Sequence, residues 1–141
     1  MAEATFQLDI LTPSRREFAG QAVSLVAPGS EGYLGILAHH APLITVLQPG
    51  HLDVRLAGGE TTSYHVTGGF LEVSANHATV LADTLEPAAE IDLAQAKAGV
   101  SAAQAARREV VSPPEVARAE QELARARARL RSARRQRGEG F

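Results

Sequence analysis

Seven arginines crowd the end of the chain: Arg125, Arg127, Arg129, Arg131, Arg134, Arg135 and Arg137, with no acidic residue among them. Like charges at i and i+4, such as Arg125 and Arg129, repel one another on a helix. A solvated helix end explains a single cation, which the helix dipole favours at a C-terminus. It explains the run less well. So much positive charge points to an acidic surface elsewhere: nucleic acid, anionic lipid or an acidic protein segment. Aromatics for base stacking are not interleaved with it, and its apolar face lacks bulky anchors for lipid.

The other constellations are weaker. His39-His40 could suggest a metal, but no carboxylate or third histidine sits at ligand spacing, so both read as loop or core-edge histidines. Glu31 and Asp53 are isolated, and nothing pairs carboxylates for acid–base work. Ser24, Ser30, Ser63 and Ser74 have no nucleophile-elbow context. Gly29, Gly32 and Gly35 lie between strands rather than before a helix, so they read as turn and bulge glycines, not a phosphate loop. With 0 Cys, a disulfide framework, a thiolate zinc site and a cysteine nucleophile are excluded. No cofactor, metal or catalytic residue is expected.

The positioning elements fall into two parts. The 141 residues, 45% apolar and 21% charged, suit one domain or a small domain with an appendage. The net charge of −2 hides a division: Met1–Glu86 carries 9 acidic and 3 basic residues, and Glu115–Phe141 carries 4 acidic and 8 basic. Aromatics are 4%, so the core must be aliphatic. No apolar run is long enough to span a bilayer. The N-terminus has no secretory signal pattern. A cytosolic protein is expected, reaching a membrane only through a partner.

The first part reads as short strands. Phe6, Leu8 and Ile10 alternate with Gln7 and Asp9, the pattern of a half-buried strand. Val23–Val26 follows, stopped by Pro28-Gly29, and then Leu34–Leu37, split by Gly35. Leu43–Leu47 is a third dense run. Leu52, Val54 and Leu56 turn at Gly58-Gly59 into Thr62, Tyr64 and Val66, a hairpin signal. Phe70–Val73 and Thr79–Leu81 flank another hairpin at Ala75-Asn76-His77. Such spacing predicts an all-β sandwich or barrel.

Composition changes after Asp83, with a boundary at Glu86-Pro87 that gives domains 1–86 and 87–141. Asp92 is a good N-cap for a helix from Leu93 to Arg108, with Leu93, Ala96, Val100 and Ala103 on one face. Pro113 and Pro114 separate it from a second helix. There Ser112-Pro113-Pro114-Glu115 reads as a capping box, with Val111 and Val116 placed for a hydrophobic staple. This helix should run to Arg137, roughly 37 Å. Its seam, Val116, Ala119, Leu123, Ala126, Leu130 and Ala133, alternates in heptad fashion, so an antiparallel helical hairpin is expected. Half the seam is alanine, which buries little area, so the hairpin is marginal alone.

The β-part resembles the epsilon subunit family of the F-type ATP synthase, called delta in mitochondria. The residues that carry the likeness include Leu8-Asp9-Ile10-Leu11-Thr12-Pro13, Ser30-Glu31-Gly32-Tyr33-Leu34-Gly35-Ile36, His40-Ala41-Pro42-Leu43, Gly68-Gly69-Phe70-Leu71-Glu72-Val73 and Val80-Leu81-Ala82-Asp83. The likeness runs from about Phe6 to Leu85, and it implies a ten-stranded β-sandwich followed by two helices. It also implies a non-catalytic rotor subunit of the central stalk, bound to the gamma subunit and seated on the c-ring. That role links gamma to the ring and so couples proton translocation to ATP synthesis. The subunit would lie peripherally on the cytoplasmic face of a bacterial plasma membrane. Ser30, Glu31, Gly32, Tyr33 and His40 would lie towards the c-ring. The hairpin could fold against the sandwich or extend along gamma into the catalytic hexamer of alpha and beta subunits. Extended, it would block ATP hydrolysis, with Arg118, Arg125 and Arg129 facing an acidic segment of beta.

Some family members bind ATP at I/L-D-x-x-R-A. Here the segment reads Ile91-Asp92-Leu93-Ala94-Gln95-Ala96, with Gln95 in place of the arginine. A neutral amide supplies no cationic contact, so Ile91 and Asp92 are only a remnant and ATP sensing is not expected. The rival reading is a small nucleic-acid-binding module that uses the basic helix. The acidic β-part and the scarce aromatics count against it.

Overall fold

The computed structural model describes residues 3–139. It divides into two compact units, Met1–Pro87 and Ala88–Phe141. The first holds strands β1 (Phe6–Leu11), β2 (Arg16–Gly29), β3 (Gly32–Leu37), β4 (Leu43–Leu47), β5 (Gly50–Leu56), β6 (Thr61–Val66), β7 (Gly69–Ser74), β8 (His77–Ala82) and β9 (Leu85–Pro87). Hydrogen bonding runs in the order β1-β8-β7-β4-β2-β5-β6-β9; β3 pairs with β2, and an additional β1–β2 pairing joins the first strand of the path back to β2 in its middle.

The strands number nine rather than ten among the described residues, and the difference lies in β2. Its first half pairs with β1, from Leu11↔Arg16 to Phe6↔Ala22. Its second half pairs with β3, from Ser24↔Leu37 to Gly29↔Gly32. A register shift against β5 between Ala22 and Ser24 separates the halves. One continuous strand thus serves two ladders, and counting its halves separately restores ten. The strand ends at Gly29, as expected from Pro28-Gly29, but Pro28 lies within it and does not interrupt it. Pro28 has no N–H to give, but its carbonyl accepts the Gln48 N–H at 2.9 Å. Gly35 does not split β3 either: it pairs with Val26.

The core lies between the layers. Leu8, Ile10, Leu25, Leu52, Val54, Leu71 and Val80 are essentially inaccessible to water and pack together. They occupy alternate strand positions, which is why one face of each strand carries them. Ala75 and Asn76 both have positive φ, 51° and 58°, as a two-residue turn between β7 and β8 requires. Gly69 is required by more than its φ of 138°. A Cβ there would overlap the carbonyl oxygen of Leu81 on the neighbouring strand.

The second unit begins with a short 3₁₀ turn, Ala88–Glu90, then α1 (Leu93–Arg108) and α2 (Pro113–Gln136). The helices are antiparallel, since Arg107 meets Glu120 at 3.2 Å while Arg129 meets Gln95 at 3.4 Å. Ile91, Ala96 and Ala133 form the buried cluster of this unit, with Leu93 and Leu130 against it. Asp92 caps α1 as expected: its carboxylate accepts the Gln95 N–H at 2.9 Å. The start of α2 differs from expectation. Ser112 holds the N-cap position but makes no side-chain cap bond. Its hydroxyl donates instead to the Glu115 carboxylate at 2.7 Å, a charge-assisted bond. With proline at both of the next two positions, two N–H groups that would need a cap are missing. The staple is not formed either, because Val111 is 90% exposed.

Two outcomes follow for stability. Gly69→Ala should destabilise the sandwich by more than about 1 kcal/mol, read by urea unfolding. Asp92→Ala should cost about 1 kcal/mol, and Ser112→Ala less than about half of that. Thermal melts of the helical signal at 222 nm would separate the two.

Candidate functional site

The turn between β2 and β3 is held by backbone and side-chain bonds from β4. The Ser30 N–H donates to the Val46 carbonyl at 2.9 Å, and the Gln48 side-chain amide donates to the Gly29 carbonyl at 2.8 Å. Ser30 and Glu31 project from it, exposed, and Gly32 takes a φ of 129° that other residues rarely adopt. Tyr33 follows, 50% exposed yet fixed. Its ring stacks on His51 with centroids 4.2 Å apart and planes inclined by 19°. Its hydroxyl accepts the His51 backbone N–H at 3.1 Å. Gly50 makes this possible, since a Cβ there would run into the Tyr33 hydroxyl and the Pro28 ring.

His40 lies elsewhere. It belongs to the loop at the far end of β3, about 20 Å from the turn at some 3.3 Å per residue. Its backbone N–H donates to the Leu37 carbonyl at 3.2 Å, and its Nδ1 donates to the Ala41 carbonyl at 2.7 Å. Neighbouring His39 has φ 65° and donates its backbone N–H to the Asn76 side chain at 2.7 Å. Asn76 in turn donates to the Thr5 carbonyl at 3.0 Å. The structure therefore groups Ser30, Glu31, Gly32 and Tyr33, and it separates His40 from them.

A further surface was not singled out from the sequence. Val46 on β4 is in register with Phe70 on β7, which is in register with Leu81 on β8. These three side chains and Ile44 are 51%, 52%, 47% and 74% exposed, respectively. They form an apolar row across adjacent strands on the outer face. Its signal was present in the sequence. Leu43–Leu47 is apolar on both strand faces, interrupted only by Thr45, and Val80–Ala82 is apolar at consecutive positions, whereas β5 alternates with Asp53 and Arg55. A strand apolar on both faces is one covered on both faces.

On α2, Arg118 and Arg125 are exposed, and Arg129 is half-buried. Arg118 borders a groove with Ala103, Ala106, Val110 and Ala119 near the hairpin bend. Arg125 meets Glu122 one turn back at 3.2 Å, an exposed pair of little energetic weight. Ile91 is buried in the hairpin cluster, and Asp92 is engaged as a cap. Gln95, where the nucleotide motif has arginine, accepts from Arg129 at 3.4 Å.

Nothing here assembles acid–base machinery. Burial, with a smaller contribution from the Glu17 carboxylate, raises the pKa of the Tyr64 hydroxyl, so it stays protonated at neutral pH. The hydrogen bond to Glu17, then its charge, raises that of Arg15. Among the described residues no three His, Cys, Asp or Glu side chains are grouped to hold a metal ion. No helix among them is long and apolar enough to cross a membrane.

The fold defines a β-sandwich protein with a C-terminal helical hairpin. The sandwich matches the profile of the ATP synthase delta/epsilon chain β-sandwich domain over residues 5–88, and the hairpin matches that of the delta/epsilon long α-helix domain over residues 89–134. The chain belongs to the ATP synthase delta/epsilon chain family. It is 45% identical to the ATP synthase epsilon chain of Chromohalobacter salexigens over 129 residues, 92% of each chain. It is 43% identical to that of Moorella thermoacetica over 130 residues, 92% of this chain and 97% of the other. Its fold is also that of a chain in the Euglena gracilis mitochondrial ATP synthase OSCP/F1/c-ring structure. That match has a TM-score of 0.82 at 22% identity, covering 91% of this chain and 81% of that one.

Tyr33→Phe removes an acceptor and leaves the stack. It should cost about 1 kcal/mol of sandwich stability and speed hydrogen exchange at the His51 amide, both measurable on the full chain.

Proposed function

We propose that this chain is a non-catalytic rotor subunit of the ATP synthase central stalk. In this reading it joins the gamma subunit to the c-ring, so that proton flow turns the shaft that drives ATP synthesis. The observation that carries it is the exposed apolar row of Val46, Phe70 and Leu81, with Ile44 beside it. A row of this kind on a soluble sandwich suits a permanent protein partner, and gamma is the partner assigned to it. The turn Ser30–Tyr33 is assigned to the c-ring. Its rigid Tyr33 suits a contact that must transmit torque without reordering. His40, at the other end of β3, is left out of that contact. The subunit would then be peripheral to the membrane, on the cytoplasmic face in a bacterium, and held there by the complex.

The hairpin is the braking arm. Extended, it would place Arg118, Arg125 and Arg129 against an acidic segment of the beta subunit in the alpha–beta hexamer. These side chains fall on one side of α2, at spacings of seven and four residues. An alanine seam suits an arm that must open, because two states interconvert readily only when they differ by a few kcal/mol.

Two experiments test the reading. Phe70→Asp should leave the sandwich folded, because the side chain is exposed, and weaken gamma binding by about 30-fold or more; calorimetric titration with gamma reads it. Unchanged affinity would remove gamma from this face. In the assembled enzyme, replacing Arg118, Arg125 and Arg129 together by Ala, or ending the chain after Glu109, should raise ATP hydrolysis. An unaltered rate in both would refute the brake.

A further inference from the structure

The arginine run is not uniform. Arg137, just past the end of α2, turns its guanidinium back across the mouth of the hairpin. One of its nitrogens donates to the Ala133 carbonyl at 2.8 Å, and the other donates to the Ile91 carbonyl at 2.5 Å. The first acceptor is among the last carbonyls of α2, which have no partner within the helix. The second belongs to the segment just before the α1 N-cap, 46 residues away in sequence. One side chain therefore ties the end of α2 to the start of α1.

We propose that Arg137 is the latch of the closed hairpin, a positioning residue that sets how often the arm opens. The inference rests on the two-state arm described above and adds its control element. The seam cannot supply that control. Its buried members are mostly alanine, and the cross-helix ties include the exposed Arg107–Glu120 pair and the long Arg129–Gln95 contact. Arg137 anchors its guanidinium on α2 through the Ala133 carbonyl and reaches across to Ile91 with a charge-assisted bond. The Ile91 bond is lost whenever the helices part, because no rotamer of Arg137 follows Ile91 once α1 and α2 separate, while the Ala133 bond stays within α2. The fork is required for this. A lysine would complement the helix dipole at the same place but presents a point charge, not two nitrogens in a plane.

The chain contains no cysteine, so spin labels on Lys97→Cys and Ala124→Cys, one on each helix and both exposed, report the α1–α2 distance in the full chain without background. The unaltered sequence should give one short distance. Arg137→Ala should raise the open-to-closed ratio by about tenfold, about 1.4 kcal/mol, with helix content at 222 nm unchanged. Arg137→Lys should behave like Arg137→Ala. Identical distances in Arg137→Ala would overturn the latch. So would full recovery of closure by lysine, or loss of helix content in place of opening, because each would leave only a helix cap. If the distances lengthen while ATP hydrolysis by the assembled enzyme stays the same, the latch stands and the braking role fails.

Discussion

The distribution of large aliphatic side chains is the constraint on which this molecule depends. The sandwich owns most of them. Leu8, Ile10, Leu25, Leu52, Leu71 and Val80 interlock between its layers. The hairpin must close on Ile91, Ala96 and Ala133 with Leu93 and Leu130 alongside. Buried area scales with side-chain size, so each alanine contributes far less than a leucine. The two units therefore start from unequal stability. In the hairpin the balance passes to polar contacts that bridge the helices, two near its mouth and one near its bend. Such contacts are directional.

The same economy explains the sandwich surface. Its core needs one face of each strand. Where the second face carries apolar side chains too, Ile44 and Val46 on β4, Phe70 on β7 and Leu81 on β8, these serve no internal purpose. They gain stability only when something covers them. The β2–β3 turn uses the opposite strategy. It exposes Tyr33 but removes its freedom, through a stack below, a backbone donor at its hydroxyl and a glycine that leaves room for both. A wide apolar face and one immobilised aromatic are two ways of preparing a surface for contact. The first offers area and the second offers rigidity.

Much of this was legible in the sequence. Alternation placed β1, β5 and β6, and Gly58-Gly59 and Ala75-Asn76-His77 placed the hairpin turns, because period and turn chemistry are local properties. The helices were legible for the same reason, down to the Asp92 cap. The failures were non-local. The first half of β2, Arg16–Gln21, has little alternation and is a strand because β1 pairs with it. β9 is three residues long and exists through its ladder with β6. Val111 carries a staple's residue type at a staple's position yet stays in solvent. The resemblance supplied Ser30–Tyr33 and His40 together, but the length of β3 sets them apart. The outer apolar row was written in the dense apolar runs of β4 and the end of β8, though only register shows, through Phe70 between them, that those runs share one face. Arg137 could not be separated from its neighbours by sequence, since what distinguishes it is a carbonyl 46 residues away.

The central claim is that a well-packed sandwich carries an arm whose closure is marginal. Urea unfolding of the full chain, followed at once by helical ellipticity at 222 nm and by the amide NMR signals of β5 and β7, tests it most directly. Non-coincident probes mark separate cooperative units. The account predicts that the helical signal melts at a lower urea concentration than the strands. One transition, superimposable in both probes, would contradict it.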